Sequence, residues 1–289
     1  MVSKQRTINS AAINNKLMNE FWDQVLDFCV ETTERIGDRL MKDFGTIQAS
    51  QKDDGSLITT ADKWSDQEIR NAIAKTFPEH GVLTEETIHI FPENNWCWIV
   101  DPIDGTTNFT RGVPVWAISL GLFYQGNPVF GFVYVPPLKQ AFHGYWFGDS
   151  DLTGYSGAYR DNQPIYTRKD DPSGSQLFNL CARSKAIFSR PFPCKMRMIG
   201  VASYNLLLVA SGVAIGGVEA TPKIWDIAAV WTIIKAAGGD FVFLGDNPVF
   251  PLQSGKDYGE VSIPSLGLSR TELIPKFLPL VECVLHQSK

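Results

Sequence analysis

The sequence predicts a globular protein that contains both α-helices and β-strands, and three patterns along the chain carry this prediction. Apolar residues recur at helical spacing over residues 14–44, and Gly45 supplies a stop signal. Short apolar runs follow between residues 82 and 146, and each is typical of a β-strand. Residues 224–237 are almost wholly apolar and end at two glycines, which is typical of a buried helix.

The first half of the chain contains further local signals. A second helix is predicted over residues 61–77, with Thr59 or Thr60 as its N-cap and Pro78 at its end. Residues 52–56 (KDDGS) are typical of a turn between the first two helices. The predicted strands cover residues 82–84, 96–100, 115–124, 129–135 and 141–146.

The second half begins after a stretch rich in Gly, Asp, Ser and Tyr, residues 147–175, which favours a boundary between two halves. Beyond it we expect helices over residues 204–211 and 270–285 and a strand near residues 217–220. The stretch is too short to be a free linker, so the halves form one compact unit. They cover residues 1–150 and residues 151–289.

Composition and charge disfavour nucleic-acid binding. The 289 residues are 44% apolar, so the chain can bury a large core. A formal net charge of −5 and a pI near 5.4 leave no basic surface for nucleic acid. An anionic substrate would therefore need positive charge from bound cations.

Cysteine usage and the N-terminus bear on the compartment. The five cysteines form no CxxC pair and are odd in number, which favours reduced thiols and a cytoplasmic protein. We expect no membrane association, because the first residues lack an apolar signal region and no apolar run reaches membrane length.

Carboxylates follow two of the predicted strands directly. Glu85 and Glu86 come after the first strand, and Asp101 and Asp104 come after the second. Acidic side chains from separate strand ends can converge at one edge of a sheet. Such a cluster would bind a hard cation such as Mg²⁺, which prefers oxygen ligands.

The densest signal is the segment WIVDPIDGTTNF, residues 98–109, in which a buried strand leads into two aspartates and a Gly-Thr-Thr turn. Taken alone, Asp-Pro and Asp-Gly pairs also fit ordinary turns. An aspartyl-phosphate phosphatase is a second alternative, but its aspartates lie two apart, whereas Asp101 and Asp104 lie three apart around a proline.

Four segments together resemble the inositol monophosphatase family. WIVDPIDGTTNF resembles its first signature, and IWDIAAVWTIIKAAGG, residues 224–239, resembles its second. TEET at residues 84–87 is similar to its GEE-Ser/Thr segment, and KDDGSLITTAD at residues 52–62 is similar to its K-x-D-G-S pattern. The segments occur in the family's order. The resemblance implies a layered α-β-α-β-α sandwich of the inositol monophosphatase/fructose-1,6-bisphosphatase type, with an α+β N-terminal half, an α/β C-terminal half and metals between the halves.

The resemblance also implies a set of metal ligands and a catalytic group. Position alone leaves Asp226 open, because an acid in the first turn of a helix is also favoured by the helix dipole. By resemblance, Asp62 and Thr106 form a hydrogen-bonded pair, and Thr106 and Glu85 position a nucleophilic water beside two or three Mg²⁺ ions. The implied metal ligands are Glu85, Asp101, the Ile103 carbonyl, Asp104 and Asp226.

For the substrate, the resemblance implies that Gly105, Thr106 and Thr107 hold the phosphate. The family's Gly-x-Ala segment falls on residues 200–202, and its sugar-hydroxyl acceptor falls on Glu219. An ordinary solvated strand residue is the alternative for Glu219. The implied substrate contacts are Gly105, Thr106, Thr107, Gly200, Val201, Ala202 and Glu219.

The resulting hypothesis is an Mg²⁺-dependent phosphomonoester hydrolase that acts on inositol 1-phosphate, forms a homodimer and is inhibited by Li⁺. Histidinol phosphate, fructose 1,6-bisphosphate and 3′-phosphoadenosine 5′-phosphate stay open as substrates. A regulatory partner of the transcription machinery is the alternative from another class. Two departures from the family pattern, Thr84 in place of Gly and Ile215 in place of Asp, leave the implied ligands intact and put specificity in doubt.

Overall fold

The structure, a computed structural model, describes residues 2–51, 57–148, 150–189 and 191–286. It is built of five layers, in which helices alternate with two sheets. The predicted turn at residues 52–56 lies outside the described residues. The layered α/β architecture that the sequence implied is confirmed.

Six α-helices and four short 3₁₀ segments are described. The helices are α1 (Val2–Leu40), α2 (Thr60–Thr76), α3 (Thr106–Arg111), α4 (Ala202–Ala210), α5 (Ile224–Ala236) and α6 (Ile274–Val281). The 3₁₀ segments are Pro136–Leu138, Ala182–Ser189, Thr271–Leu273 and Glu282–His286.

The first large sheet has seven strands in chain order and is antiparallel apart from its first pair. A two-stranded ribbon precedes it, formed by β1 (Ser50–Gln51) and β2 (Leu57–Ile58). The seven strands are β3 (Gly81–Thr84), β4 (Trp96–Asp104), β5 (Ala117–Tyr124), β6 (Asn127–Val135), β7 (Gln140–Tyr145), β8 (Gly157–Arg160) and β9 (Gln163–Ile165).

The second large sheet has five strands in the order β11-β10-β12-β14-β13. Its first three strands in that order are parallel, and β14 runs antiparallel to both of its neighbours. The strands are β10 (Leu177–Leu180), β11 (Lys195–Arg197), β12 (Gly216–Glu219), β13 (Asp240–Phe243) and β14 (Ser265–Leu268).

Three apolar clusters hold the layers together. Helices α1 and α2 cover the outer face of the seven-stranded sheet, where Trp22, Trp98 and Phe130 are fully buried. Helices α4 and α5 fill the space between the sheets. The 3₁₀ segments and α6 cover the outer face of the second sheet around Phe178 and Phe277.

The helix predictions hold with changes at the ends. Thr59 is the N-cap of α2, where its hydroxyl accepts from the amides of Ala61 and Asp62. The first helix begins at Val2 instead of residue 14. The single helix expected over residues 270–285 is wrong, because the segment divides into α6 with a 3₁₀ turn on each side. Pro275 lies in the first turn of α6, where the missing backbone donor favours the start of a helix over its continuation from residue 270.

Several short strands were not predicted. Two of them, β8 and β9, lie in the polar stretch after residue 147 and extend the first sheet to Ile165. Strands of three or four residues give too little alternation to be recognised from sequence. The division of the chain near residue 150 stays a prediction.

A stripe of glycines lets α5 approach the first sheet closely. Gly121, Gly131 and Gly144 lie side by side on β5, β6 and β7. A Cβ atom on Gly131 would come 2.1 Å from the carbonyl oxygen of Ala229 on α5. The distance between helix and sheet therefore depends on the absence of side chains on this stripe.

Replacing Gly131 with Ala is expected to destabilise the fold, because the new methyl group overlaps the α5 backbone. The expected loss is about 1–3 kcal/mol of unfolding free energy, measured by urea denaturation. The matched control is Gly174→Ala, since a Cβ there meets nothing within 4 Å. Equal stability of the two variants would contradict the close packing of α5.

Candidate metal centre

Three aspartates from two distant segments of the sequence lie close together. Strand β4 delivers Asp101 and Asp104 from either side of a register shift, and the first turn of α5 delivers Asp226. Each of the three has a carboxylate oxygen within 4.8 Å of the others. Carboxylates this close could share one or more hard cations.

The cluster is buried, and its charges repel one another. Asp101 is 1% exposed and Asp104 is 5% exposed. Burial, followed by the nearby carboxylates of Glu85, Asp104 and Asp226, raises the pKa of Asp101 well above its usual range. Burial, followed by the carboxylates of Asp104, Glu85 and Glu219, also raises the pKa of Asp226. The protein thus holds negative charge where its own environment disfavours it.

Asp104 is stabilised by the N-terminus of α4. Its Oδ1 accepts from the amide of Ala202 at 3.2 Å, and its Oδ2 accepts from the Ser203 amide at 2.7 Å and the Ser203 hydroxyl at 2.5 Å. Burial still raises the pKa of Asp104 to about 6, although these bonds lower it. Asp104 therefore serves as the cap of a helix whose own N-cap residue, Val201, offers no side-chain bond.

Asp226 is held at the start of its own helix. Its Oδ2 accepts from the amide of Lys223 at 2.6 Å. The Lys223 ammonium group donates to the Gly259 carbonyl at 2.8 Å. Over the described residues, no ion pair joins Asp101, Asp104 or Asp226 to a basic side chain.

Glu85 lies beside this cluster, as the position of its strand predicted. Its amide donates to the Val100 carbonyl at 3.1 Å, one residue before Asp101. Its carboxylate contributes to the raised pKa of Asp101, Asp104 and Asp226. The structure therefore brings together all four acidic residues that the sequence proposed as metal ligands.

The expected pair of Asp62 and Thr106 is present. The Thr106 hydroxyl lies 3.2 Å from Asp62 Oδ1 and 3.1 Å from the Ile103 carbonyl oxygen, so both acceptors compete for its proton. Asp62 Oδ2 accepts from the amide and hydroxyl of Thr59 at the start of α2. Burial raises the pKa of Asp62 above its usual value despite these bonds.

The segments proposed to contact phosphate and substrate adjoin one another. Gly105 has a φ of +91°, and a Cβ there would lie 2.7 Å from Val201 Cγ2. The side-chain amide of Asn108 donates to the carbonyls of Val115 and Ile199, both at 2.9 Å. It thereby fixes the segment that begins at Gly200. Thr107 and Ala202 lie at the first turns of α3 and α4.

Glu219 lies at the end of β12 and is only 4% exposed. Its Oε1 accepts from the side-chain amide of Asn205 at 2.8 Å. Burial raises the pKa of Glu219 to about 8, which the Asn205 and Cys181 bonds partly oppose. Glu219 is not one of the three clustered aspartates, so its carboxyl group is available for a contact other than a cation shared with them.

Sequence reasoning did not single out Asn108, Ser203 or Asn205, although all three hold site residues in place. Asn108 lies within the DGTTNF motif, so the motif itself was a signal that could have identified it. Ser203 and Asn205 lie near the Gly-x-Ala segment in sequence, but their partners are 99 and 14 residues away. Nothing in the local sequence indicates such contacts.

A cavity of about 620 Å³ lies away from the carboxylates. Its wall includes Tyr124, which pairs with Trp96 at the opposite end of β4 from Asp104. None of the proposed site residues lines it. The cavity is therefore separate from the carboxylate site.

The donor set fits a hard divalent cation. Carboxylate and carbonyl oxygens are the ligands that Mg²⁺ prefers, and the cluster contains no thiol or imidazole. A buried group of like charges also needs positive charge nearby, and the first turns of α4 and α5 supply only part of it. The residues present thus match the metal that the sequence implied.

Comparisons with known proteins agree with this site. The model of the inositol monophosphatase family matches residues 22–265. This chain belongs to the inositol monophosphatase family. Members of the family are phosphatases that depend on metal ions, and the acidic cluster lies within the matched region.

The individual relatives carry several names. A fructose-1,6-bisphosphatase/inositol-1-monophosphatase of Aquifex aeolicus is 31% identical over 255 residues, which cover 78% of this chain and 93% of that protein. The Nus factor SuhB of Escherichia coli K12 is 27% identical, over 74% of this chain and 83% of its own length. The solved IMPase of Thermotoga maritima is 25% identical with a TM-score of 0.74, covering 90% of this chain and 98% of that chain.

The raised carboxylate pKa values predict how stability depends on pH in the absence of metal. The folded-state pKa of Asp104 is about 6, above the usual 3.8, so its ionisation destabilises the fold. The contribution that protonated Asp104 makes to the free energy of unfolding is present below about pH 4 and is lost as the pH rises through about 6. A divalent cation should therefore raise the melting temperature more at about pH 8 than at about pH 5.

Thermal melts with EDTA or Mg²⁺ at both pH values would measure this difference. The control is Asp226→Asn, which removes one buried charge. Without metal at about pH 8, this variant should melt at a higher temperature than the wild type and respond less to Mg²⁺. A wild type whose response to Mg²⁺ is the same at both pH values would contradict the argument.

Proposed function

We propose that this chain is an Mg²⁺-dependent inositol-1-monophosphatase with two or three cations per site. The observation that carries the proposal is the group formed by Asp101, Asp104 and Asp226, whose carboxylate oxygens lie within 4.8 Å of one another. Family membership supports phosphate ester hydrolysis. Because each aspartate is fixed by its own strand or helix, the ligands are preorganised before any cation binds.

In this proposal, Glu85, Asp101, Asp104, Asp226 and the Ile103 carbonyl hold the cations. Bound Mg²⁺ supplies two effects, a lower pKa of water and neutralisation of charge on the phosphoryl group. The chain's own residues orient the water and accept its proton. No covalent intermediate with the protein is needed, because a water activated in this way can attack the phosphorus directly.

Thr106 and Asp62 would act as the proton acceptor. When the Thr106 hydroxyl donates to Asp62 Oδ1, its oxygen can accept a hydrogen bond from a water. Burial raises the proton affinity of Asp62, which suits a group that accepts a proton during hydrolysis. Glu85, whose carboxylate lies near enough to Asp62 to raise its pKa, would orient the water as well.

The substrate would lie between the two halves of the molecule. We place its phosphate at the backbone of Gly105, Thr106 and Thr107, where the left-handed glycine begins a helix. The hydroxyl groups of the polyol would contact the segment Gly200, Val201 and Ala202, and Glu219 would accept from one of them. The contact between Gly105 and Val201 supports this arrangement, because it joins the two segments directly.

Fructose 1,6-bisphosphate is the principal rival substrate, because the Aquifex aeolicus relative carries both activities in its name. Histidinol phosphate and 3′-phosphoadenosine 5′-phosphate are further candidates that share this metal chemistry. A polyol is favoured over a nucleotide by Glu219, whose carboxyl group suits hydroxyl partners.

Phosphate release from inositol 1-phosphate and the three rival compounds tests the proposal. With Mg²⁺ we expect fastest release from inositol 1-phosphate, and with EDTA none. Asp104→Asn should reduce turnover at least about a hundredfold, because it removes a ligand and weakens the cap of α4.

The control for this experiment is Asp246→Asn, which changes an exposed aspartate in the loop after β13 and should leave turnover unchanged. Release that persists in EDTA would contradict metal dependence. Release from fructose 1,6-bisphosphate alone would keep the site and replace the substrate.

The relatives named Nus factor SuhB favour a second candidate function, a regulatory role as a partner of the transcription machinery. This role could coexist with hydrolysis, because it does not require turnover. A pull-down from lysate with wild type and Asp104→Asn would separate the two functions. A stoichiometric partner retained by the inactive variant supports regulation, and the absence of any partner removes it.

Oligomeric state, compartment and lithium response complete the proposal. We propose a homodimer in the cytoplasm that is inhibited by Li⁺, on the strength of the family resemblance. Over the described residues, no helix has the length and apolarity that a membrane crossing requires. All five cysteines are free thiols. Light scattering and a Li⁺ titration of phosphate release would check the first and last of these statements.

A further inference from the structure

The turn that carries Glu85 is organised by a side chain that the family pattern does not provide. We define the Glu85 turn as residues 84–88. At its start, Thr84 is fully buried and stands where the resembling family segment has Gly. The Thr84 hydroxyl oxygen lies 3.3 Å from the amides of Thr87 and Ile88 and accepts from both. A glycine at this position could make neither bond.

A chain of hydroxyl groups continues from Thr84 to helix α2. Thr84 Oγ1 lies 3.1 Å from Thr87 Oγ1, and Thr87 Oγ1 lies 2.9 Å from Asp66 Oδ2. Thr87 donates to the Asp66 carboxylate oxygen, so the Thr87 oxygen accepts from the Thr84 hydroxyl. Arg70 Nε donates to the same Asp66 oxygen at 2.8 Å, which holds this buried carboxylate in place.

Helix α2 thereby fixes two parts of the site. Asp62, in its first turn, bonds to Thr106, and Asp66, one turn later, bonds to the Glu85 turn. The N-terminal end of the Glu85 turn is held separately, because the Glu85 amide donates to the Val100 carbonyl. The hydroxyl chain adds a second point of attachment at the C-terminal end, at Thr87 and Ile88. The backbone on both sides of Glu85 is therefore restrained.

We propose that Thr84, Thr87 and Asp66 are positioning residues that fix Glu85 for cation binding. This inference rests on the proposed metal-dependent function. Without the hydroxyl chain, the amides of Thr87 and Ile88 lose their acceptor and the turn gains conformational freedom. Glu85 then has to be ordered when the cation binds, and cation affinity falls by the free energy of that ordering.

The test compares Thr84→Val, which keeps the shape and removes the hydroxyl, with Thr84→Ser, which keeps the hydroxyl. Mn²⁺ binding is followed by electron paramagnetic resonance, and Mg²⁺ dependence by phosphate release. We expect Thr84→Val to raise both the Mn²⁺ dissociation constant and the Mg²⁺ concentration for half-maximal turnover about tenfold. Thr84→Ser should stay near the wild type.

Thr87→Val breaks the same hydroxyl chain at its middle and should raise the same two cation measurements about tenfold. It replaces Thr84→Val in the test if that variant folds poorly. The matched control is Thr271→Val. The Thr271 hydroxyl donates to Asp240 at 2.9 Å, and Asp240 also pairs with Lys235, yet this group lies on the second sheet beside α6. Its removal should leave both cation measurements unchanged.

The outcomes separate this inference from the proposed function. A wild type that binds no Mn²⁺ and releases no phosphate removes the metal-dependent function itself. A wild type that binds Mn²⁺ with the same affinity as both valine variants overturns only the positioning role. Loss of affinity in Thr84→Ser equal to that in Thr84→Val also overturns it, because the hydroxyl would then be irrelevant.

Discussion

The architecture of this site depends on the mutual repulsion of buried carboxylates. For two unit charges about 4.8 Å apart, an effective dielectric constant near 20 gives a repulsion of at least about 3 kcal/mol per pair. Burial, which is the larger cause, and this repulsion together raise the pKa values of Asp101 and Asp226. The fold must therefore hold the carboxylates together against a force that separates them, and cations relieve that force when they bind.

Rigid elements resist this repulsion from several directions. Asp104 caps α4, and Asp226 bonds to the backbone at the start of α5. Helix α5 in turn lies against the glycine stripe of the first sheet, with room for no side chain at Gly131. Packing in the core thus sets the position of a ligand at the end of the helix. A substitution on the glycine stripe would therefore change the position of Asp226, although the substituted residue contacts no site residue.

The sequence predicted the parts of this arrangement that are local. Apolar spacing and its end signals identified α2, and a nearly continuous apolar run ended by two glycines identified α5. The strand preceding Asp101 was clear because it is an unbroken apolar run. The proposed metal ligands and the pair of Asp62 and Thr106, which lie 44 residues apart, were predicted only because the four motifs resemble a known family. What the sequence could not predict were contacts made by residues outside those motifs. The bond between Asp104 and Ser203 spans 99 residues, and no local pattern indicates it.

Departures from a family pattern were also hard to interpret from sequence. Thr84 was noted as a substitution that leaves the ligands intact, and only the structure shows its bonds to the Glu85 turn. Short strands such as β8 and β9 were missed because three or four residues carry too little periodicity. In both cases the deciding information is which atoms become neighbours after folding.

Anomalous diffraction from crystals soaked in Mn²⁺ tests the central claim most directly. The account predicts at least one anomalous peak in contact with the carboxylates of Asp101, Asp104 and Asp226, and its loss in Asp226→Asn crystals. An ordered metal-free site in Mn²⁺-soaked crystals, or peaks confined to exposed carboxylates elsewhere, would contradict the claim that this buried cluster exists to bind cations.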